Sequence, residues 1–444
     1  MDFATGAGTV PADTHTRTAP AAEMSTALPT EQPTEQPSEL SSEQPSELPA
    51  EPRSEPPESR TGQPIAVWVL AFAAMVSFMG IGLVDPILKS IAANLDATPS
   101  EVSLLFTSYL LVTAIAMLIT SFVSSRFGGR TTLMAGLVII IVFSTLAGTS
   151  DSVAALVGWR AGWGLGNALF IATALAAIIA VARGGAEKAV TLYEAALGVG
   201  ISVGPLVGAL LGTVNWRAPF FGVAVLMGIA LLAISLLLKD KVRVTHRIRP
   251  ADPLRALGHG GLLVLGIAAL LYNGGFFAVL AFTPFTLPYS AFGIGFLFFG
   301  WGVLLGLCAV WEAPWMHRRF GLTNAFIITL GVFTAILVAL ALTVDNHVAV
   351  TVLVIACGAP LGVLNTLFTE SAMNVSPVPR PVASAGYNFV RFLGAAASPW
   401  ICGKLGEEIG LAAPFWFGGA CVIGGLLMIA VFGRRHLAAI NARH

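Results

Sequence analysis

The sequence predicts an all-α integral membrane protein, with twelve transmembrane helices arranged as two pseudo-symmetric six-helix bundles. Three observations predict it. The 444 residues are 56% hydrophobic and only 11% charged, with a mean hydropathy of +0.81, whereas a soluble domain is about 25% charged. From residue 63 onward, one apolar run after another is long enough to cross a hydrocarbon core of about 30 Å. Short motifs of the first six runs return in the second six at a nearly fixed offset.

Residues 1–62 stand apart from these runs. They carry 3 Lys/Arg against 11 Asp/Glu, a net of −8, while residues 63–444 carry 21 against 13, a net of +8, so the formal zero hides two opposite parts. Glu recurs at 31, 35, 39, 43, 47, 51 and 55, interleaved with prolines. On a helix those carboxylates would stack and repel, and the prolines remove amide donors, so a disordered acidic Pro/Glu/Ser-rich cytoplasmic tail is expected. Its start lacks the basic segment and apolar stretch of a secretory signal.

The apolar runs fall at about 65–88, 101–123, 132–149, 153–182, 189–212, 218–238, 261–285, 291–315, 324–343, 347–370, 384–405 and 411–433. Placing both termini in the cytoplasm puts sixteen Lys/Arg on the inner side and only Lys89, Arg217 and Lys404 outside, a strong positive-inside asymmetry. The expected location is a plasma (inner) membrane. The organisation follows as a tail (1–62), an N-terminal six-helix bundle (63–238), a cytoplasmic central loop (239–260), a C-terminal six-helix bundle (261–435) and a short cytoplasmic tail (436–444). Cys308, Cys357, Cys402 and Cys421 sit in apolar runs without paired spacing, as core residues and not as disulfides or metal ligands.

The halves repeat. Arg126-Phe127-Gly128 returns 193 residues later as Arg319-Phe320-Gly321; Tyr193, Gly200 and Pro205 return 194 residues later as Tyr387, Gly394 and Pro399. Duplicated six-helix units place a substrate path at their interface near the bilayer midplane, which points to a transporter that alternates between two open states.

The loop between spans two and three, SFVSSRFGGRTTL (Ser121–Leu133), resembles the major facilitator superfamily signature GxLaDrxGrkxxL. Arg126, Gly128, Arg130 and Leu133 fit, whereas Ser121 replaces the usual Gly and Ser125 the usual Asp of a cytoplasmic charge relay. Span four, LVGWRAGWGLGNA, resembles the RxxxG element through Arg160 and Gly164. Span five, GVGISVGPLVGALLG, resembles the antiporter motif GxxxGPxxGG through Gly200, Gly204, Pro205 and Gly208, with Ala209 in the last place. The resemblance covers about residues 63–435. It implies the drug:proton antiporter branch with twelve helices, similar to Bacillus and actinobacterial multidrug and siderophore exporters. It also implies a role in proton transfer for Arg160 and a cytoplasmic gate loop formed by Arg126, Gly128 and Arg130.

Ionisable residues inside spans are functional candidates, because an unpaired charge in hydrocarbon is expensive. Asp85, followed by Pro86 near the outer end of span one, reads either as a proton carrier or as a helix-end acid partnered by Lys89. Arg160 lies two turns from the outer end of span four, at similar depth, and reads as a proton-transfer partner or a tie to backbone carbonyls. Glu194 directly precedes the antiporter motif and reads either as the third proton-coupling residue or as a snorkelled or gate-pairing acid. Glu312 and Glu370 lie near inner helix ends as gate-pairing or snorkelled acids. The glycines at 200, 204, 208 and 212 form a small-residue ridge, read as a structural seam and also a leak-tight one between halves. Pro205 and Pro399 are expected to bend their helices.

For substrate, the amide and aromatic residues of spans four, seven, eight, ten and eleven are the candidates. They are Asn167, Tyr272, Asn273, Phe276, Phe277 and Trp301, with Asn365, Asn388 and Arg391. An aromatic cavity with few polar groups suits amphipathic organic molecules. No phosphate-binding loop, nucleophile elbow or metal cluster is present in the sequence, so neither an enzyme, nor a cofactor, nor a metal is expected. The partners expected are a small-molecule substrate, protons and the lipid bilayer, with no nucleic acid and a monomeric chain. Two other readings stay open: export of one endogenous metabolite such as a siderophore, and a non-transport membrane sensor with the tail as its output.

Overall fold

The computed structural model describes residues 63–183, 185–238 and 249–433. The acidic tail, residues 239–248 of the central loop and residues 434–444 lie outside the described residues.

Twelve long helices follow one another: α1 (Ile65–Gly82), α2 (Pro99–Phe127), α3 (Gly129–Gly148), α4 (Val153–Val181), α5 (Gly185–Val214), α6 (Ala218–Leu237), α7 (Gly260–Thr286), α8 (Ala291–Leu307), α9 (Leu322–Leu342), α10 (His347–Asn374), α11 (Arg380–Glu408) and α12 (Ala413–Met428). Eleven spans among the described residues are long and apolar enough to cross a membrane. Helix α11 is long enough as well, but Asn388, Arg391, Ser398 and Lys404 make it more polar.

Local sequence explains where the helices start and stop. Thr98 caps α2 in a reciprocal capping box with Glu101, and Pro99 occupies the first turn, where its missing N–H costs nothing. Ser152, Ser290 and Asn346 cap α4, α8 and α10 through their side-chain oxygens. Gly128 and Gly321 lie at φ +88° and +76°, each between two helices, a conformation that strains any residue with a Cβ. The recurrence of this turn is the duplication expressed in backbone geometry.

Two spans are less regular than the sequence suggests. Span one is not one continuous helix: α1 stops at Gly82, a 3₁₀ turn covers Asp85–Ile87, and a short helix resumes at Leu88–Asn94. Pro86 has no N–H to continue the ladder, which places the break at Asp85. Span eight passes from α8 into a π-helical segment at Cys308–Glu312 before a last helix, Ala313–Phe320.

Packing repeats between the halves. In the first, α1 packs on α5 and α6, α2 on α4, and α3 on α4 and α6; in the second, α7 packs on α11 and α12, α8 on α10, and α9 on α10 and α12. The bundles meet along two symmetry-related pairs, α2 with α11 and α5 with α8. The outward faces are apolar, as on α6, where Val225, Ile229, Leu232 and Leu236 are exposed at helical spacing. Against water such a stripe would be costly; against lipid tails it is the matching surface.

Candidate functional site

The break in α1 and the middle of α4 bring Asp85 and Arg160 into one buried cluster, each with 0% exposure. Arg160 donates through Nη1 to the Gly80 carbonyl at 3.3 Å and through Nε to the Leu105 carbonyl at 3.5 Å. Its guanidinium lies over Tyr109 (4.4 Å to the ring centroid) and Trp163 (4.6 Å), whose rings meet edge to face. A cation between two aromatic faces is held by their quadrupoles where water cannot hydrate it. The carbonyl tie read from the sequence is therefore present, joined by an aromatic cage. Trp163 was legible as the residue one turn beyond Arg160 on the same face of α4, whereas nothing in the sequence marked Tyr109.

Asp85 interacts with Arg160 through space, yet among the described residues neither of its oxygens accepts a hydrogen bond. Arg160 Nη2, the Tyr109 hydroxyl and the Trp163 indole nitrogen also lack a hydrogen-bond partner among the described residues. Lys89 does not pair with Asp85: it turns away and its Nζ donates to the Leu287 carbonyl, at the end of α7. The surface-partner reading of Asp85 is thereby corrected, because the helix break redirects Lys89 toward the other bundle.

The antiporter-motif glycines press against α1. A Cβ would stand 2.4 Å from the Met75 carbonyl oxygen at Gly200, 2.7 Å from that of Met79 at Gly204 and 2.2 Å from that of Leu83 at Gly208. Gly394 meets the Leu270 carbonyl in the same way, so the seam is duplicated. The ridge therefore closes a seam inside each bundle, not between the halves. Contact with the other half is made from the opposite face of α5, where Ser202 meets Gly302 and Pro205 and Ala209 meet Gly295. The Pro205 ring lies against Gly82, three residues before Asp85.

The remaining candidates divide into those the fold brings together and those it does not. Asn167 accepts a hydrogen bond from Ser77 of α1, deep in the N-terminal bundle. Asn365 accepts from Arg391 Nη2 at 2.6 Å, joining α10 to α11. Phe276 packs on Phe277 and on Trp301, and Phe277 reaches Phe106 across the two bundles, centroid to centroid at 6.5 Å. Tyr272 stacks on Phe368 at 4.9 Å. By contrast, Asn273 donates to the Ala269 carbonyl and Asn388 to Ser384, each within its own helix. Glu370 is exposed and Glu312 lies in the π segment of span eight. The side chain of Glu194 lies outside the described residues.

In the loop between α2 and α3, Arg126 and Gly128 are exposed, and Arg130 donates to the Ser235 carbonyl at the end of α6. Ser125, in place of the usual Asp, donates back to Phe122 in its own helix. All four cysteines are free thiols.

The comparisons agree with this architecture. The profile of the Major Facilitator Superfamily matches residues 70–399. The chain is 51% identical over 382 residues to the multidrug efflux protein YfmO of Bacillus subtilis, covering 86% of this chain and 96% of that protein. It is 22% identical over 384 residues to the quinolone resistance protein NorA of Staphylococcus aureus, covering 84% and 98%. Its fold matches the crystal structure of a D-xylose-proton symporter at a TM-score of 0.69 and 14% identity, covering 82% of this chain and 97% of that one. On the profile match, the extended similarity and the duplicated helical architecture together, the chain belongs to the major facilitator superfamily.

Proposed function

We propose that this protein is a proton-coupled exporter of amphipathic small molecules, including drugs, working by alternating access in the plasma membrane. Both termini are assigned to the cytoplasm on the distribution of Lys and Arg, which makes the helix break at Asp85 the outer-facing part of span one. The observation that carries the reading is Asp85: a fully buried carboxylate without a hydrogen-bond donor among the described residues, in a broken helix, within the field of Arg160. Holding an ion without partners in a low-dielectric interior costs several kcal/mol. Exchange of the proton on Asp85 is thus tied to the conformation that brings water or a cationic compound to it, which is what coupling requires. The aromatic group of Phe276, Phe277 and Trp301 offers apolar contacts and the Asn365–Arg391 pair polar ones, the two kinds an amphipathic molecule needs. The substrate class also draws support from the multidrug efflux relative that the chain matches over most of its length.

The test is proton movement in energised everted vesicles containing wild type or Asp85→Asn, challenged with lipophilic cations, neutral drugs and catecholates. A compound that dissipates the pH gradient only with the wild type establishes antiport and places Asp85 in the coupling path. Vesicles with confirmed protein in which no compound moves protons would overturn the proposal.

A further inference from the structure

Helix α2 starts, and α11 ends, on the face of the molecule opposite to Gln63, here called the distal face. Four N–H groups at the start of any helix lack partners within it. Pro99 has no N–H, and Thr98 and Glu101 satisfy each other in the capping box. The N–H of Ser100 is left over, and its partner comes from the other bundle, 307 residues away. Glu407 Oε1 accepts that N–H at 2.7 Å, and Oε2 accepts the Ser100 hydroxyl at 3.0 Å. Two charge-assisted bonds at a helix N-terminus form a strong, directional contact for a carboxylate. One turn earlier in α11, Gly403 lets the backbones close up, since a Cβ there would stand 2.5 Å from Ser100 Cα. Lys404 Nζ lies 3.5 Å from Glu407 and steadies it. At the same face Lys89 reaches the Leu287 carbonyl, a second polar link between the halves.

We propose that Glu407 is the latch of the distal gate: its carboxylate, gripping the N-terminus of α2, holds the two bundles together on that face and lets go when the face opens. Both bonds are made to a single residue, so a small tilt of α2 from α11 breaks them together and the contact behaves as an on–off element. On α11 Lys404 pairs with it, and on α2 Glu101 is engaged in its own cap. Glu407 is a positioning residue: it acts on the gate and not on the cargo. The inference rests on the alternating-access reading, and it is tested by a distance that requires no transport.

The experiment places spin labels at Thr149→Cys and Asp345→Cys, both exposed on the distal face, with Cys308 and Cys421 replaced by alanine. Distances between the labels are measured in the otherwise wild-type protein and in Glu407→Ala, Glu407→Gln and Ser100→Ala. The expected result is at least a roughly tenfold rise in the long-distance, distal-open population for Glu407→Ala, the factor that losing even one of its two charge-assisted bonds would give. Glu407→Gln, which keeps the shape and loses the charge, shows a smaller rise, and Ser100→Ala, which keeps the N–H, the smallest. In transport, the maximal rate moves more than the apparent affinity. An unchanged distance distribution in Glu407→Ala and Glu407→Gln, with unaltered melting, overturns the latch and leaves the exporter reading standing. Vesicles without transport but with the expected distance shifts leave the latch standing and remove the exporter reading.

Discussion

Replacing Gly208 by alanine adds one methyl group, and the structure states what that group would meet. Its Cβ would lie 2.2 Å from the Leu83 carbonyl oxygen, 2.9 Å from the carbonyl carbon and 3.0 Å from Cα. Ordinary contact begins at 3.4 Å, so α1 and α5 must separate by more than 1 Å at this level. The obstacle is backbone, which cannot rotate away like a side chain. Overpacking of this kind costs about 1–3 kcal/mol. The same substitution at Gly228 in α6 meets nothing within 4 Å, and there alanine gains up to about 1 kcal/mol of helix propensity. Two chemically identical changes should therefore move stability in opposite directions. The assay is thermal unfolding in detergent, paired with vesicle transport. Gly208→Ala is expected to melt lowest, followed by Gly200→Ala and then Gly204→Ala in the order of their clashes, while Gly228→Ala melts at or above the wild type. Because the seam ends beside Asp85, transport by Gly208→Ala should fall even where the protein remains folded. Equal melting and transport for Gly208→Ala and Gly228→Ala would refute the backbone contact.

Two further outcomes follow. Arg160→Lys keeps the positive charge but loses the planar group lying over Tyr109 and Trp163 and the fork that reaches the Gly80 and Leu105 carbonyls, so proton-coupled transport should drop at least about tenfold; near-wild-type transport would show that charge alone suffices. For Glu407, beyond the apolar part of α11, partial burial works to raise the carboxyl, and the hydrogen bonds from Ser100 and Thr98 with the charge of Lys404 outweigh it, leaving the group below its ordinary value. A depressed carboxylate stabilises its contact above the ordinary range and loses that contribution as pH falls through the lowered value. The closed distal distance should thus persist from about pH 8 to about pH 5 and give way only in stronger acid, whereas opening near neutrality would contradict the direction of the shift.

Much of the fold was legible because the bilayer imposes a length and a polarity that each span must meet, and because duplication wrote the turn at Gly128 and Gly321 twice. The glycines of α5 could be read as a close-packed ridge, but not which helix they faced, since a spacing of four names a face and not its partner. Asp85 and Arg160 were recognisable as charges in hydrocarbon. The aromatic cage around Arg160 was half hidden, because Tyr109 arrives from another helix. Asn273 and Asn388 misled for a local reason: a polar side chain in a membrane helix can satisfy itself on its own preceding turn, and the sequence does not record that choice. Glu407 falls between the apolar runs at 384–405 and 411–433, and its partner 307 residues away is set only by how the bundles meet.

Helix α5 has two working faces. Its glycines mesh with the carbonyls of α1 like a rack with its pinion, while the opposite face lies against α8 of the other bundle. Pro205 belongs to both contacts, touching Gly82 with its ring and Gly295 with its carbonyl. In the proposed alternating-access cycle, Pro205 is the one residue that joins the interface between the halves to the segment before Asp85. One proline ring and one carbonyl thus span the distance from the Asp85 break to the other bundle.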